Sequence, residues 1–80
     1  MKDLVVEMVK QIVDKPEEVN AREVEGEQTT IIELSTNPED IGKVIGKKGR
    51  TIKALRVLVN AAAVRKGKRV TVEIVEPSRQ

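Results

Sequence analysis

Cysteine, histidine, phenylalanine, tyrosine and tryptophan are all missing from the 80 residues. With no thiol or imidazole, disulfides, the usual zinc ligands and the usual nucleophile and base pairs of covalent catalysis are excluded. With no aromatic ring, the core has to be built from Val, Ile, Leu, Ala and Met, and the stacking platforms of RNA-recognition motifs and OB-folds fall away. Long apolar runs are missing too: Glu7 and Lys10 interrupt the first one, which is too short for a signal peptide or a membrane span. A soluble, cytoplasmic protein of one domain is the expectation, since 80 residues support a single two-layer core and no deep catalytic cleft.

What the chain does have is charge, and it is segregated. Residues 1–40 carry four basic and eleven acidic side chains, a balance of −7, whereas residues 41–80 carry eleven basic and two acidic, a balance of +9. The basic groups concentrate around one loop, one helix and one turn. That pattern points to a polyanion on one face.

Periodicity divides the chain into six elements. From Asp3 to about Asp14, Leu4, Val5, Met8, Val9 and Ile12 recur at helical spacing, and Pro16 stops the helix. Glu17 to Glu25 reads as a polar edge strand whose apolar contributions are Val19, Ala21 and Val24. A turn at Gly26 leads into the β-branched stretch Thr29–Ser35, completing a hairpin. Asn37-Pro38-Glu39-Asp40 has the marks of a helix start: a cap, a proline at the first position, and acids at the positive end of the dipole. That short helix runs to about Ile45.

A longer helix spans Arg50 to about Lys66, with Ile52, Leu55, Leu58, Val59 and Ala62 as the stripe that meets the sheet. Lys53, Arg56 and Asn60 form a narrow polar stripe, in which Lys53 and Arg56 either extend the phosphate track from the loop or are ordinary surface charge. Beyond it Ala54, Val57, Ala61 and Val64 form a second apolar side, unusual if left in water, which either floors a binding groove or packs against a second subunit. Gly67 ends the helix. Arg69 to Val75 then alternates Val70, Val72 and Ile74 against Thr71 and Glu73, a clear strand, and a polar tail follows from Pro77. The order α-β-β-α-α-β makes the last strand return across two helices, which permits parallel pairing with Thr29–Ser35. The expected fold is α+β, a three-stranded mixed sheet with helices on one face.

Ile41–Ile52 is the stretch around which these elements are arranged. Helical spacing halts at Gly46 and resumes at Ile52, so a tight turn, Gly46-Lys47-Lys48-Gly49, joins the two helices. Glycine accepts positive φ, and without a Cβ it lets a foreign backbone come close. The helix that begins there turns free N–H groups and a positive dipole end outward, and Lys47 and Lys48 add two charges where a phosphate would rest. Gly42, inside the first helix, costs about 1 kcal/mol against alanine. Close approach of a sugar-phosphate backbone or of a neighbouring helix would explain it equally well.

Two glycines three apart occur in many loops, but the full string Val44-Ile45-Gly46-Lys47-Lys48-Gly49-Arg50-Thr51-Ile52 resembles the signature of KH domains, whose GXXG loop clamps about four nucleotides. With this element order the chain resembles type II KH domains, and in particular the small bacterial single-domain KhpA family. The likeness takes in Asp14 to Val19, Pro38 to Lys47, Ala61 to Ala63 and Gly67 to Val70. It implies one domain over residues 1–76, with 77–80 as the tail, and no metal or cofactor. It further implies single-stranded RNA in a groove bounded by the loop, its two helices and the sheet edge. Gly46, Lys47, Lys48 and Gly49 would hold phosphates, Ile41, Val44, Ile45 and Ile52 would form the groove wall or its support, and Arg50 and Lys53 would add charge. Gly42 and Lys43 belong to the same surface. Pairing with a second copy, or with the larger KH-containing protein KhpB, is placed on Ala54, Val57, Ala61 and Val64. The implied role is that of a low-specificity RNA chaperone or post-transcriptional regulator acting as a dimer, in RNA regulation and cell elongation.

The residues themselves agree on selectivity: without aromatics, bases rest on aliphatic side chains, so one domain should bind modestly and discriminate little. A KH-fold module used only for dimerisation, supporting a larger RNA-binding partner, is the rival reading, and the basic Lys47-Lys48 tip is what it fails to explain. Catalysis has no candidate residues beyond scattered carboxylates.

Overall fold

The computed structural model describes residues 1–75; Glu76 and the polar tail expected from Pro77 lie outside them. The elements are α1 (Lys2–Lys10), β1 (Asn20–Glu25), β2 (Thr29–Ser35), α2 (Ile41–Ile45), α3 (Arg50–Val64) and β3 (Arg69–Ile74). β1 pairs antiparallel with β2, Ala21 opposite Leu34, and β3 pairs parallel along the other side of β2, Ile32 opposite Val72. The mixed sheet therefore has the order β1-β2-β3. Strand alternation sends Ile32, Leu34, Val70 and Val72 to one face, where they are buried against Val5 and Val9 of α1, Val44 of α2, and Ile52, Leu55, Val59 and Ala63 of α3. Glu33, Thr71 and Glu73 take the opposite face. No helix among the described residues is long and apolar enough to cross a membrane.

Several element boundaries differ from the expected ones, three of them by two residues or more for a plain local reason. α1 stops at Lys10 rather than Asp14, because the amides of Gln11 and Ile12 turn back to the carbonyls of Met8 and Val9 at 3.2 and 2.9 Å. This tightening draws Val13 into the core and leaves Ile12 exposed; Leu4 is also outside. β1 begins at Asn20 rather than Glu17, since Pro16–Glu18 closes a single 3-10 turn, the Val19 amide donating to the Pro16 carbonyl at 3.2 Å. α3 ends at Val64 rather than Lys66: Gly67, at φ 71°, lets its own amide reach the Val64 carbonyl and the Lys68 amide reach that of Ala63.

The stripe that α3 buries is also turned from the expected one. Leu58 is 56% exposed and Ala62 half-buried, while Ala63 fills the core. The cause lies on the helix's other flank, where Arg56 Nε donates to the Val72 carbonyl at 2.9 Å and Asn60 Oδ1 accepts from the Val70 amide at 3.4 Å. These two bonds satisfy groups on the outer edge of β3 and fix the rotation of α3 about its axis.

Asn37 caps as expected, its Oδ1 accepting the Glu39 amide at 2.8 Å, but Pro38–Asp40 forms a 3-10 turn ahead of α2. Asp40 does not face solvent at the dipole's end. It is buried, and its carboxylate accepts the amides of Asp14 and Lys15 at 3.2 and 3.0 Å, tying the segment before β1 to the start of α2. Around this latch, the Lys15 ammonium donates to Glu39 at 3.2 Å, and that hydrogen bond, with the charge of Glu39, raises its pKa above the ordinary lysine value. At the other end of α1 the Lys2 amide donates to Glu23 at 3.0 Å, which holds that carboxyl below its ordinary value. Replacing Asp40 by alanine removes two charge-assisted bonds and is expected to cost about 2 kcal/mol, read as a fall in the urea midpoint at constant slope. Asparagine, which keeps one acceptor, should restore part of the loss.

Candidate nucleic-acid interface

α2 and α3 meet at the four-residue turn Gly46 to Gly49, and the backbone there is unusual at three successive corners. Gly46 has φ 78° and ψ 172°, Lys48 has φ 57° and ψ 26°, and Gly49 has φ 75° and ψ 17°. Two backbone bonds close the turn, from the Gly49 amide to the Gly46 carbonyl at 3.1 Å and from the Arg50 amide to the Lys47 carbonyl. Lys48 is the one residue other than glycine with positive φ among those described. A lysine held in the left-handed region costs about 1 kcal/mol. That strain puts its side chain at the tip of the loop, exposed beside Lys47.

Each glycine is required for a different reason. A Cβ on Gly46 would collide with the Thr51 side chain and stand 2.8 Å from the Thr51 nitrogen, so the first turn of α3 packs directly on this residue. Around Gly49 and Gly42 a Cβ would meet nothing within 4 Å. The neighbouring helices therefore leave room for a side chain at Gly42. Gly42→Ala should raise stability by roughly 0.5–1 kcal/mol, as expected for a helical site. If a sugar-phosphate backbone passes over Gly42, the same variant should bind RNA several-fold more weakly, as measured by fluorescence anisotropy.

Gly49 has no side chain to cap α3, and of the first-turn amides that of Arg50 donates to the Lys47 carbonyl. Arg50 is exposed at the same end. Among the described residues, Lys47, Lys48, Arg50 and Lys53 have no carboxylate partner. The Lys43 ammonium pairs with Asp14 at 3.2 Å, because the latch at Asp40 brings the segment after α1 against α2. Val44 and Ile52 are buried, and so can support a groove but not line it, whereas Ile41 is half-buried and Ile45 is 38% exposed.

Three residues play parts that spacing alone did not assign. Thr51 packs on Gly46, a contact between loop and helix with no local signature in the sequence. Arg56 and Asn60 were visible as a polar stripe, but not their bonds to β3, which depend on the parallel crossover. Their pairing gives a register: four residues back along α3, from Asn60 to Arg56, match two residues forward along β3, from Val70 to Val72. The distances agree, at about 6 Å and about 6.6 Å. One further step brings the Lys53 turn of α3 level with Ile74. β3 thus runs back along α3 toward the loop.

The surface so described is a cationic turn, a helix start and a polar stripe beside a strand edge, with aliphatic side chains near the loop. Comparison with known proteins agrees with the resemblance. The family model of the KhpA/KhpB KH domain matches residues 2–74. An RNA-binding protein KhpA of Clostridium perfringens is 55% identical over 75 residues, covering 94% of this chain and 100% of that protein. The KhpA of Chlamydia pneumoniae is 51% identical over 76 residues, 95% of this chain and 97% of its own, and that of Aquifex aeolicus is 46% identical over 76 residues, 95% and 96%. No solved structure matches the chain. With a fold of the KH type and this similarity from end to end of the described residues, the chain belongs to the KhpA/KhpB KH-domain family.

Proposed function

We propose that this chain is a non-enzymatic, cytoplasmic single-stranded RNA-binding protein, one domain over residues 1–76, that holds the RNA backbone on the Gly46–Gly49 turn. The observation that carries this reading is the tip itself, with Lys47 and Lys48 exposed and, among the described residues, without carboxylate partners, one of them in a strained backbone conformation, beside the start of α3, which no side chain caps. Relatives named RNA-binding proteins support it. A labelled mixed-sequence single-stranded RNA should bind in an anisotropy titration, and the same sequence annealed into a duplex should compete poorly. Equal competition by the duplex would reduce the site to a non-specific cationic patch.

The second apolar side of α3 supports pairing. Val57 and Val64 are each 67% exposed, and the exposed Ala54 and Ala61 share that side. The side continues through Leu58 into a groove of about 290 Å³ against Met8 and Ile12 of α1. We place a homodimer, or a heterodimer with a larger KH protein of the KhpB kind, on this side, with an RNA chaperone or regulatory role for the assembly. Val57→Glu should shift the chain to monomer in sedimentation velocity and leave RNA binding at the loop in place. A chain that is monomeric at all concentrations before substitution argues against the homodimer.

A further inference from the structure

Resting on the RNA-binding reading above, we infer that Arg56 is the residue that reads a nucleobase, and that it favours guanine. The chain has no aromatic or histidine side chain, so beside the aliphatic groups that a base can rest on, the planar cation open to it is a guanidinium. Single-stranded bases are also received by arginine, through stacking on the guanidinium plane and hydrogen bonds to base edges. Among the cationic residues of α3, Arg56 is the one whose head is anchored among the described residues, with Nε donating to the Val72 carbonyl at 2.9 Å. One end of the planar group is thereby tied to the edge of β3, and the carbonyl of Arg56 is tied to Asn60 Nδ2 at 2.9 Å.

Closing one carbonyl uses one of the five N–H donors of an arginine. The other four stay on the two terminal nitrogens of an exposed side chain, and they lie in one fixed plane. A fork that only donates matches an edge that only accepts. Guanine offers two adjacent acceptors, O6 and N7, whereas adenine and cytosine place an amino donor on the corresponding edge. Arg56 stands six residues into α3, about 9 Å along the axis from its first residue, on the stripe that runs from the loop beside β3. A nucleotide with its phosphate on Lys47 and Lys48 turns its base toward this stripe. The phosphates need no help from Arg56, because the loop cations already face them. The low selectivity expected for an aromatic-free domain then becomes a modest, single-position preference.

The test is anisotropy with ten-nucleotide uridine RNAs that carry a central GG, AA or CC step, for the native chain, Arg56→Lys and Lys47→Asp/Lys48→Asp. The native chain should bind the GG RNA about fivefold or more tightly than the AA and CC RNAs. Arg56→Lys keeps the charge and loses the fork, so it should bring the three affinities together while leaving their salt dependence unchanged. The inference is overturned by a native chain without guanine preference, by a lysine variant that keeps the preference, or by one that weakens all three RNAs equally with a shallower salt slope, the mark of a phosphate contact. Native binding without base preference removes Arg56 as a reader and leaves the loop reading standing. No native binding to any RNA removes both. Should Arg56→Lys fail to fold, as judged by circular dichroism, Arg56→Gln, which can still bond the Val72 carbonyl, gives the same reading of preference.

Discussion

Reversing the charge of the loop, with Lys47→Asp and Lys48→Asp together, is expected to abolish RNA binding and to leave the fold unchanged. Both side chains are exposed and take part in no salt bridge among the described residues, so no native contact is lost. Surface changes of this kind alter stability by no more than about 0.5 kcal/mol. At position 48 the backbone has φ 57°, a conformation that aspartate adopts more readily than lysine. The variant therefore keeps the turn and changes only what the turn presents. Two attractions for phosphate become two repulsions at close range, and affinity should fall roughly a hundredfold or more at low salt. Circular dichroism and the thermal midpoint should match those of the native chain. A variant that unfolds would show that the loop is built for stability and not for a ligand.

Gly46→Ala is expected to be the most damaging small substitution in the loop. The residue sits at φ 78° and ψ 172°, a region open almost only to glycine, and the added methyl would drive into Thr51. Neither strain nor collision can relax without displacing the first turn of α3, which carries the core residue Ile52. A loss of about 3 kcal/mol is expected from strain and overpacking together, corresponding to a drop of roughly 15 °C in the midpoint for a domain of this size. RNA affinity should fall as well, because the turn can no longer aim its cations. Gly49→Ala is the control: its Cβ meets open space, and the left-handed backbone alone costs about 1 kcal/mol. Equal effects from the two variants would mean that the packing of Thr51 on Gly46 is not what makes the first glycine necessary.

Most of the architecture was legible because local signals and burial agree. Thr29–Ser35 emerged with both ends correct, since β-branched residues are bounded by Gly26 on one side and by Asn37-Pro38 on the other. The parallel return of β3 followed from counting two helices between strands. Errors arose where a tertiary contact decided between similar local choices. Leu58 and Ala63 are equally suited to a core, and it is Arg56 and Asn60 gripping β3 that turn α3 toward the second. Asp40 and Glu39 are both good residues for a helix start, yet only Asp40 has two backbone amides, 25 and 26 positions away in sequence, to bind. For the loop, the glycine spacing and the two lysines were visible from the start, whereas the left-handed Lys48 and the contact with Thr51 depend on how the helices close around the turn.

The central claim is that the Gly46–Gly49 turn holds RNA phosphates. It is tested most directly by the salt dependence of binding, measured side by side for the native chain and the Lys47→Asp/Lys48→Asp variant with a mixed-sequence single-stranded RNA. With three or four phosphates engaged, log K for the native chain should fall against log salt with a slope of about −2 to −3, and the variant should show no measurable binding at any salt. A native chain that fails to bind at low salt, or a variant that binds with the native slope, would contradict it.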